Sequence, residues 1–245
     1  MAQQSLRLNA SNFDVSRLVL EKPVANEKRK NVYSAKLRYL DDNDEPQYFF
    51  LYTPKLFTPF GANSYNEDDK YALTFTLGDD GKDGEFKTLL ESIETRVSEL
   101  VGELKGKLSK NEFSKLVKPS KDPKYKPTFS VKLKCNEQGE LFADVFDRKK
   151  TVVKVNLENI TTELPRRSKV GCVLMLNNVW FVNKNCGVTV NAKQLIVFPG
   201  KDKGCMFEGD DFEDSDVDGE GNGDNDEHSE RPTLEDSEDD EEDDE

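Results

Sequence analysis

Apolar and polar residues alternate with a period of two along much of the first 200 positions, the pattern of strands buried on one face. In YALTFTL (71–77), Tyr71, Leu73, Phe75 and Leu77 share one face, and Ala72, Thr74 and Thr76 the other. TFSVKLK (128–134) sets Phe129, Val131 and Leu133 inward and Ser130, Lys132 and Lys134 outward. NVYSAKLRYL (31–40) and QYFFLYT (47–53) flank the turn cluster DDNDEP and predict a hairpin. ELFADVFD (140–147) and TVVKVNL (151–157) add two strands. GCVLMLNNVWFVNKNCGVTVNAKQLIVF (171–198), broken at Asn-Asn and Asn-Cys-Gly, predicts a run of short antiparallel strands. One polar face per strand makes an antiparallel sheet closed into a Greek-key barrel. Phe49, Phe75, Phe129 and Phe181 are read as core.

A different period interrupts this pattern at about 85–117. In EFKTLLESIETRVSELVGELKGKL, Phe86, Leu90, Ile93, Val97, Leu100 and Leu104 recur at four- and three-residue steps, one apolar stripe of a helix docked on the barrel. Gly106 suits its end. Ser109 and Glu112 have capping-box spacing and predict a short second helix before Pro119.

Charge divides the chain in two. From Met206 to Glu245 there are 22 acids against the single base Arg231, net −21, while the whole chain is −14. Residues 1–205 therefore carry +7, and the acidic total hides a basic body. Such a tail cannot bury enough apolar surface to offset its ordering entropy, so 206–245 is expected to be disordered and 1–205 to form one domain. No apolar run approaches the ~18–20 residues of a membrane span. MAQQSLRLNASNFD lacks the apolar stretch of a signal peptide, so the chain is expected to be intracellular, with no membrane partner.

Catalytic chemistry has little to work with. The only histidine, His228, lies in the acidic tail, which leaves the body without the base of Ser-His or Cys-His catalysis. Cys135, Cys172, Cys186 and Cys205 are widely spaced, without a C-x-x-C pair, and are read as buried thiols rather than zinc ligands. No P-loop or dinucleotide fingerprint occurs. DSDVDGEGNGDN (214–225) matches the first half of a calcium loop, with Asp214, Asp216, Asp218 and Gly219, but its twelfth position is Asn225 in place of a bidentate Glu. No enzyme activity, metal or cofactor is expected.

Binding chemistry is more plentiful, because aromatics stand beside cations at strand ends. LYTPKLFTPFGANSY (51–65) carries Tyr52, Lys55 and Phe57, and KDPKYKPTFSVKLK (121–134) carries Lys124, Tyr125, Lys126, Lys132 and Lys134. DRKKTVVK adds Arg148, Lys149 and Lys150, and VWFVNKN holds Trp180 and Lys184. Aromatic faces that stack on bases, with cations for phosphates, are what sequence-tolerant single-strand binding uses, at roughly 1–3 kcal/mol per stacked base. All these residues are candidate nucleic-acid contacts.

TPKLFTPFGANSY followed by KYALTFTL, the helical insertion, the closing VWFVNKNCGVTVNAKQLIVF and the acidic tail resemble the single-stranded-DNA-binding proteins of large nucleocytoplasmic DNA viruses. More distantly, the chain is similar to the replication single-strand binder of short-tailed coliphages. The resemblance covers most of 10–200. It implies an OB-fold barrel that coats displaced strands in viral DNA replication, recombination and repair. It also implies replication proteins (polymerase, helicase or primase) as tail partners, and a location where the viral genome is copied, the host nucleus or a cytoplasmic factory. It leaves room for a homo-oligomer. In the phage relatives the tail ends in an aromatic residue, whereas here Phe212 is the last aromatic and the chain ends EEDDE.

A tail of −21 tethered to a basic body can occupy its groove until DNA displaces it. Forty flexible residues span very roughly 35 Å, at an effective concentration in the millimolar range. Ser215, Thr233 and Ser237 each have an acid three residues on, the context acidophilic kinases prefer. The rival reading from the tail is an acidic histone-chaperone-like binder of basic proteins, and a scaffold with a solubilising tail is a third.

Overall fold

The computed structural model describes residues 6–64 and 70–200. Contacts divide the chain into units 1–201 and 202–245. The acidic tail, with Cys205, the calcium-loop-like stretch and the three phosphorylation candidates, lies outside the described residues, as does Tyr65.

The principal strands are β1 (Val32–Leu40), β2 (Phe49–Tyr52), β3 (Leu56–Thr58), β4 (Tyr71–Thr76), β5 (Thr128–Leu133), β6 (Asp144–Phe146), β7 (Ser168–Val182) and β8 (Asn185–Phe198), with helix α1 (Gly81–Gly102) between β4 and β5. β2 and β3 are halves of one bent strand, interrupted at Pro54, which has no amide to donate to a ladder. Phe57 of β3 pairs with Thr76 of β4, and six pairs from Thr76–Thr128 to Tyr71–Leu133 join β4 to β5. β5 meets β8 at Lys132–Asn191, β8 pairs with β7, and β7 returns to β3 at Ser168–Thr58 and to β2 at Leu174–Leu51. With β2 and β3 counted together as the first of five, the ring runs 1-2-3-5-4-1, the order of an OB barrel. Its long ladders are antiparallel. The β5–β8 contact that closes it is parallel, as is the flanking β6–β8 pair.

Alternation decides what fills the ring. Leu51, Leu56, Leu73, Phe75, Phe129, Val131, Val170, Leu174 and Leu176 are buried, and all four phenylalanines read as core are buried. α1 lays Phe86, Leu90, Ile93, Val97 and Leu100 on this core, with the Phe86 ring edge-on to Phe129 at 6.0 Å between centroids. Each such side chain contributes about 1.5–3 kcal/mol on burial. The helix begins at Gly81, five residues before Phe86, through a turn so tight that a Cβ on Gly84 would lie 2.2 Å from the Asp79 carbonyl oxygen, and it ends at Gly102, so Leu104 and Gly106 lie beyond it.

Three expectations change. The second helix is absent: Leu108–Lys110 is a single 3-10 turn, and Ser109 Oγ donates back to the Gly106 carbonyl. The chain then runs extended, because Glu112 and Phe113 pair with Asn185 and Cys186, and the Glu112 amide donates to the Lys184 carbonyl. The predicted run of short strands over 171–198 is two long ones, with Asn183–Lys184 as the hairpin turn and a register shift between Met175 and Asn178 in place of a break. A bulge absorbs one extra residue without ending the ladder. The hairpin around DDNDEP is short: only Tyr39–Gln47 and Leu40–Pro46 pair, after which β2 joins the ring.

Candidate nucleic-acid interface

The face of β4 and β5 turned away from the core carries Ala72, Thr74, Ser130 and Lys132, and a cleft of about 560 Å³ opens over it. Its floor is polar, with the Thr74 and Ser130 hydroxyls 3.1 Å apart in a hydrogen bond across the two strands. Asn63 stands at one side, while Gly187, Val188 and Val190 of β8 and Trp180 of β7 form the other. The remaining wall is the extended segment 114–118, which brings Lys115 and Lys118 to the cleft. That segment is held by Lys118–Thr128 pairing and by the Val117 amide, which donates to Glu94 Oε1 of α1 at 2.6 Å. Lys115, Lys118 and Lys132 thus converge, and no carboxylate occurs among the described residues lining the cleft. In an OB barrel the face of strands two and three is the one that takes oligonucleotides.

Trp180 is half-buried, lying against Gly187, its partner across the β7–β8 ladder. A side chain at 187 would stand 2.8 Å from Cζ2 and 3.1 Å from Cε2 of the indole, so the missing Cβ lets the ring lie close to the β8 backbone. The indole therefore reaches the cleft as a flat apolar surface among cations.

The loop 119–127 leaves from Lys118 and returns at Thr128, so it projects from the margin of the cleft. Tyr125 on this loop is 62% exposed, too open for a core residue. Lys124 Nζ lies 5.0 Å from the Tyr125 ring and 3.3 Å from Asp122. Lys126 faces the start of α1. The Asp79 carboxyl there is held below its usual range first by its hydrogen bond and charge contact with Lys87, and further by Lys126.

The other sequence candidates divide between this margin and a second face. Lys134 is exposed just past the end of β5, and Lys184 is exposed in the β7–β8 turn; neither lines the cleft. Tyr52 and Lys150 line a separate cavity of about 430 Å³ near β6. Lys149 and Arg148 share the turn with Lys150, and Arg148 donates to the Pro199 carbonyl at 2.8 Å. Phe57 is half-buried in β3, and Lys55 stands 3.9 Å above the Phe198 ring.

Lys115 and Lys118 are the cations that the pattern of the chain did not single out. Their spacing in SKLVKPSK was absorbed by the expected short helix, and only the extended path of 112–118 carries them to β5. Cys172 and Cys186 are buried, and burial pushes their thiols up to about 12 and about 11, whereas Cys135, also expected to be buried, is only half-buried. Among the described residues, no group of three or more His, Cys, Asp or Glu side chains could hold a metal ion, and no helix is long and apolar enough to cross a membrane.

No protein-family model matches this sequence, and no curated protein does. Among solved structures, the chain is similar to the single-stranded DNA-binding protein from bacteriophage Enc34 in complex with ssDNA, with a TM-score of 0.42 and 14% identity over 75% of this chain and 98% of that one. The Enc34 protein by itself gives 0.38 and 16% over 78% and 98%, and its C-terminal truncation 0.38 and 13% over 73% and 96%.

Proposed function

We propose that this chain binds single-stranded DNA without sequence preference, in the cleft over β4 and β5. The observation that carries this reading is a cleft holding three lysines and an accessible indole, with no carboxylate among its described lining residues. Lys115, Lys118 and Lys132 meet phosphates, Trp180 stacks on a base, and Tyr125 meets the strand at the margin. Stacking requires an unpaired base, because a duplex turns its base faces inward. The test is titration with oligo-dT and with duplex at several salt concentrations, followed by the fluorescence of Trp180, the sole tryptophan. Quenching by oligo-dT, weakening linearly in log salt, is expected. Equal or tighter duplex binding, or no quenching, overturns the reading.

The finer role rests on the resemblance for the process and on charge for the tail. The protein coats strands displaced in the replication, recombination and repair of a viral genome, where that genome is copied. Its tail of −21 competes with DNA for the cleft and, once displaced, recruits basic surfaces of a polymerase, helicase or primase. The same tail supports one rival, an acidic chaperone of histones or other basic proteins. Removing 206–245 separates the two: the single-strand reading requires tighter DNA binding, the chaperone reading lost histone binding and no DNA affinity.

A further inference from the structure

The half of the β7–β8 ribbon remote from Trp180 carries a second aromatic and cationic face. Lys169 pairs with both Phe57 and Phe198, Val173 pairs with Tyr52, and Ile196 pairs with Gly171 and with Phe146 of β6. Paired residues in a ladder share a side, and here the alternating residues Val170, Cys172 and Leu174 take the core. Tyr52, Phe57, Phe146 and Phe198 therefore stand on the outer face, each half-buried. Gly171 has no side chain to fill the cavity between Tyr52 and Phe146, and Lys150 stands at its edge. Lys149 and Lys169 are exposed nearby. Two of the neighbouring acids are engaged within the fold: Asp147 Oδ1 accepts the Lys149 and Thr151 amides, each at 2.8 Å, and Asp144 Oδ2 accepts Gln194 Nε2 at 3.2 Å; Glu163 stands beyond Lys149 and Phe146.

We propose that this face is a second segment of the single-strand site, resting on the reading of the first cleft. A strand that leaves the cleft beside Val190 follows the ribbon to Ile196, six residues or about 20 Å along β8 at 3.3 Å per residue. There it stacks bases on Tyr52 and Phe146, while Lys149, Lys150 and Lys169 meet phosphates. Open aromatic faces ringed by lysines suit an unpaired polyanion with flat bases. The first cleft alone takes a short oligonucleotide, and both segments are filled only by a long one.

The experiment uses the full chain and two oligo-dT lengths, one of about 6 nucleotides, within the site size of one OB barrel, and one of about 30. Two variants, Lys149→Glu with Lys169→Glu, and Tyr52→Ala, are compared with wild type by Trp180 quenching and by thermal melting. Each should lose about tenfold or more in affinity for the long strand and keep the wild-type affinity for the short one. The charge variant should also lower the long-strand salt slope by about 0.7 per lost phosphate contact. Unchanged long-strand binding in the charge variant, whose two lysines are exposed, overturns the second segment, whatever Tyr52→Ala does to folding. Equal losses on both lengths in a variant that melts like wild type also overturn it. Absence of Trp180 quenching in the wild type sinks the first cleft instead, a separate outcome.

Discussion

Trp180 lies against the backbone of Gly187 across the β7–β8 ladder, so close that a Cβ at 187 would come within 2.8 Å of the indole. The glycine thus sets where the aromatic surface stands relative to Lys132 and Lys118 in the cleft. Gly187→Ala should displace the ring, cost about 1–3 kcal/mol of stability as overpacking does, and weaken oligo-dT binding beyond that. Trp180→Ala should remove the stacking contribution, about 1–3 kcal/mol. Denaturant melts and binding isotherms on both variants check this. Wild-type affinity in Trp180→Ala would make the indole a packing residue only.

Each of Lys118→Ala and Lys132→Ala should lower the slope of log affinity against log salt by about 0.7, the value for one lost phosphate contact on a single strand. Lys134→Ala should change it less, since Lys134 does not line the cleft. All three side chains are exposed, so melting temperatures should stay near wild type. Equal slopes in all variants would mark these lysines as ordinary solvated surface.

Tyr125→Ala should weaken single-strand binding by about 1–3 kcal/mol with little change in stability, because the ring is exposed and buries no core surface. A loss of stability without a change in affinity would reverse the assignment.

Cys172 provides a pH test independent of ligand. Burial raises its thiol to about 12, against the small opposing effect of a hydrogen bond with Thr53. In the unfolded chain the thiol ionises near its ordinary value of about 8.5. Between these values the unfolded state has released its proton and the folded state has not, so stability present below about pH 8.5 is lost as pH rises toward 12. Cys172→Ala should flatten the fall in melting temperature over this range. An unchanged pH profile would show that this thiol does not govern alkaline unfolding.

Removal of 206–245 should tighten oligo-dT binding most at low salt, and phosphorylation at Ser215, Thr233 and Ser237 should weaken binding by the full chain. Each phosphate adds about −1.5 to −2 charges. Both effects should shrink toward 1 M salt, where the Debye length falls to about 3 Å from about 10 Å at 0.1 M. Equal affinities of the full and shortened chains at low salt would rule out competition for the cleft.

What the sequence determined by itself is local. The two-residue alternation in 71–77 and 128–134 was enough to turn Phe75 and Phe129 inward and Thr74, Ser130 and Lys132 outward, because side-chain direction depends only on the backbone of the same strand. The stripe from Phe86 to Leu100 was equally legible, since a helix satisfies its hydrogen bonds within itself. Only the tertiary structure decided which outward faces are neighbours. Nothing near Lys115 or Lys118 in the chain says that 112–118 will run extended, because its partners, Asn185–Cys186 and Thr128–Phe129, are supplied by other strands. Asn177–Asn178 suits a turn or a bulge alike, and the register of β8 selects the bulge. The stretches that set aromatics beside lysines looked equivalent one by one. Ring closure separates them, sending Lys132 and Trp180 to one cleft and Tyr52 and Lys150 to another, because position around a barrel is fixed by strand pairing between distant segments and leaves no mark on the local pattern.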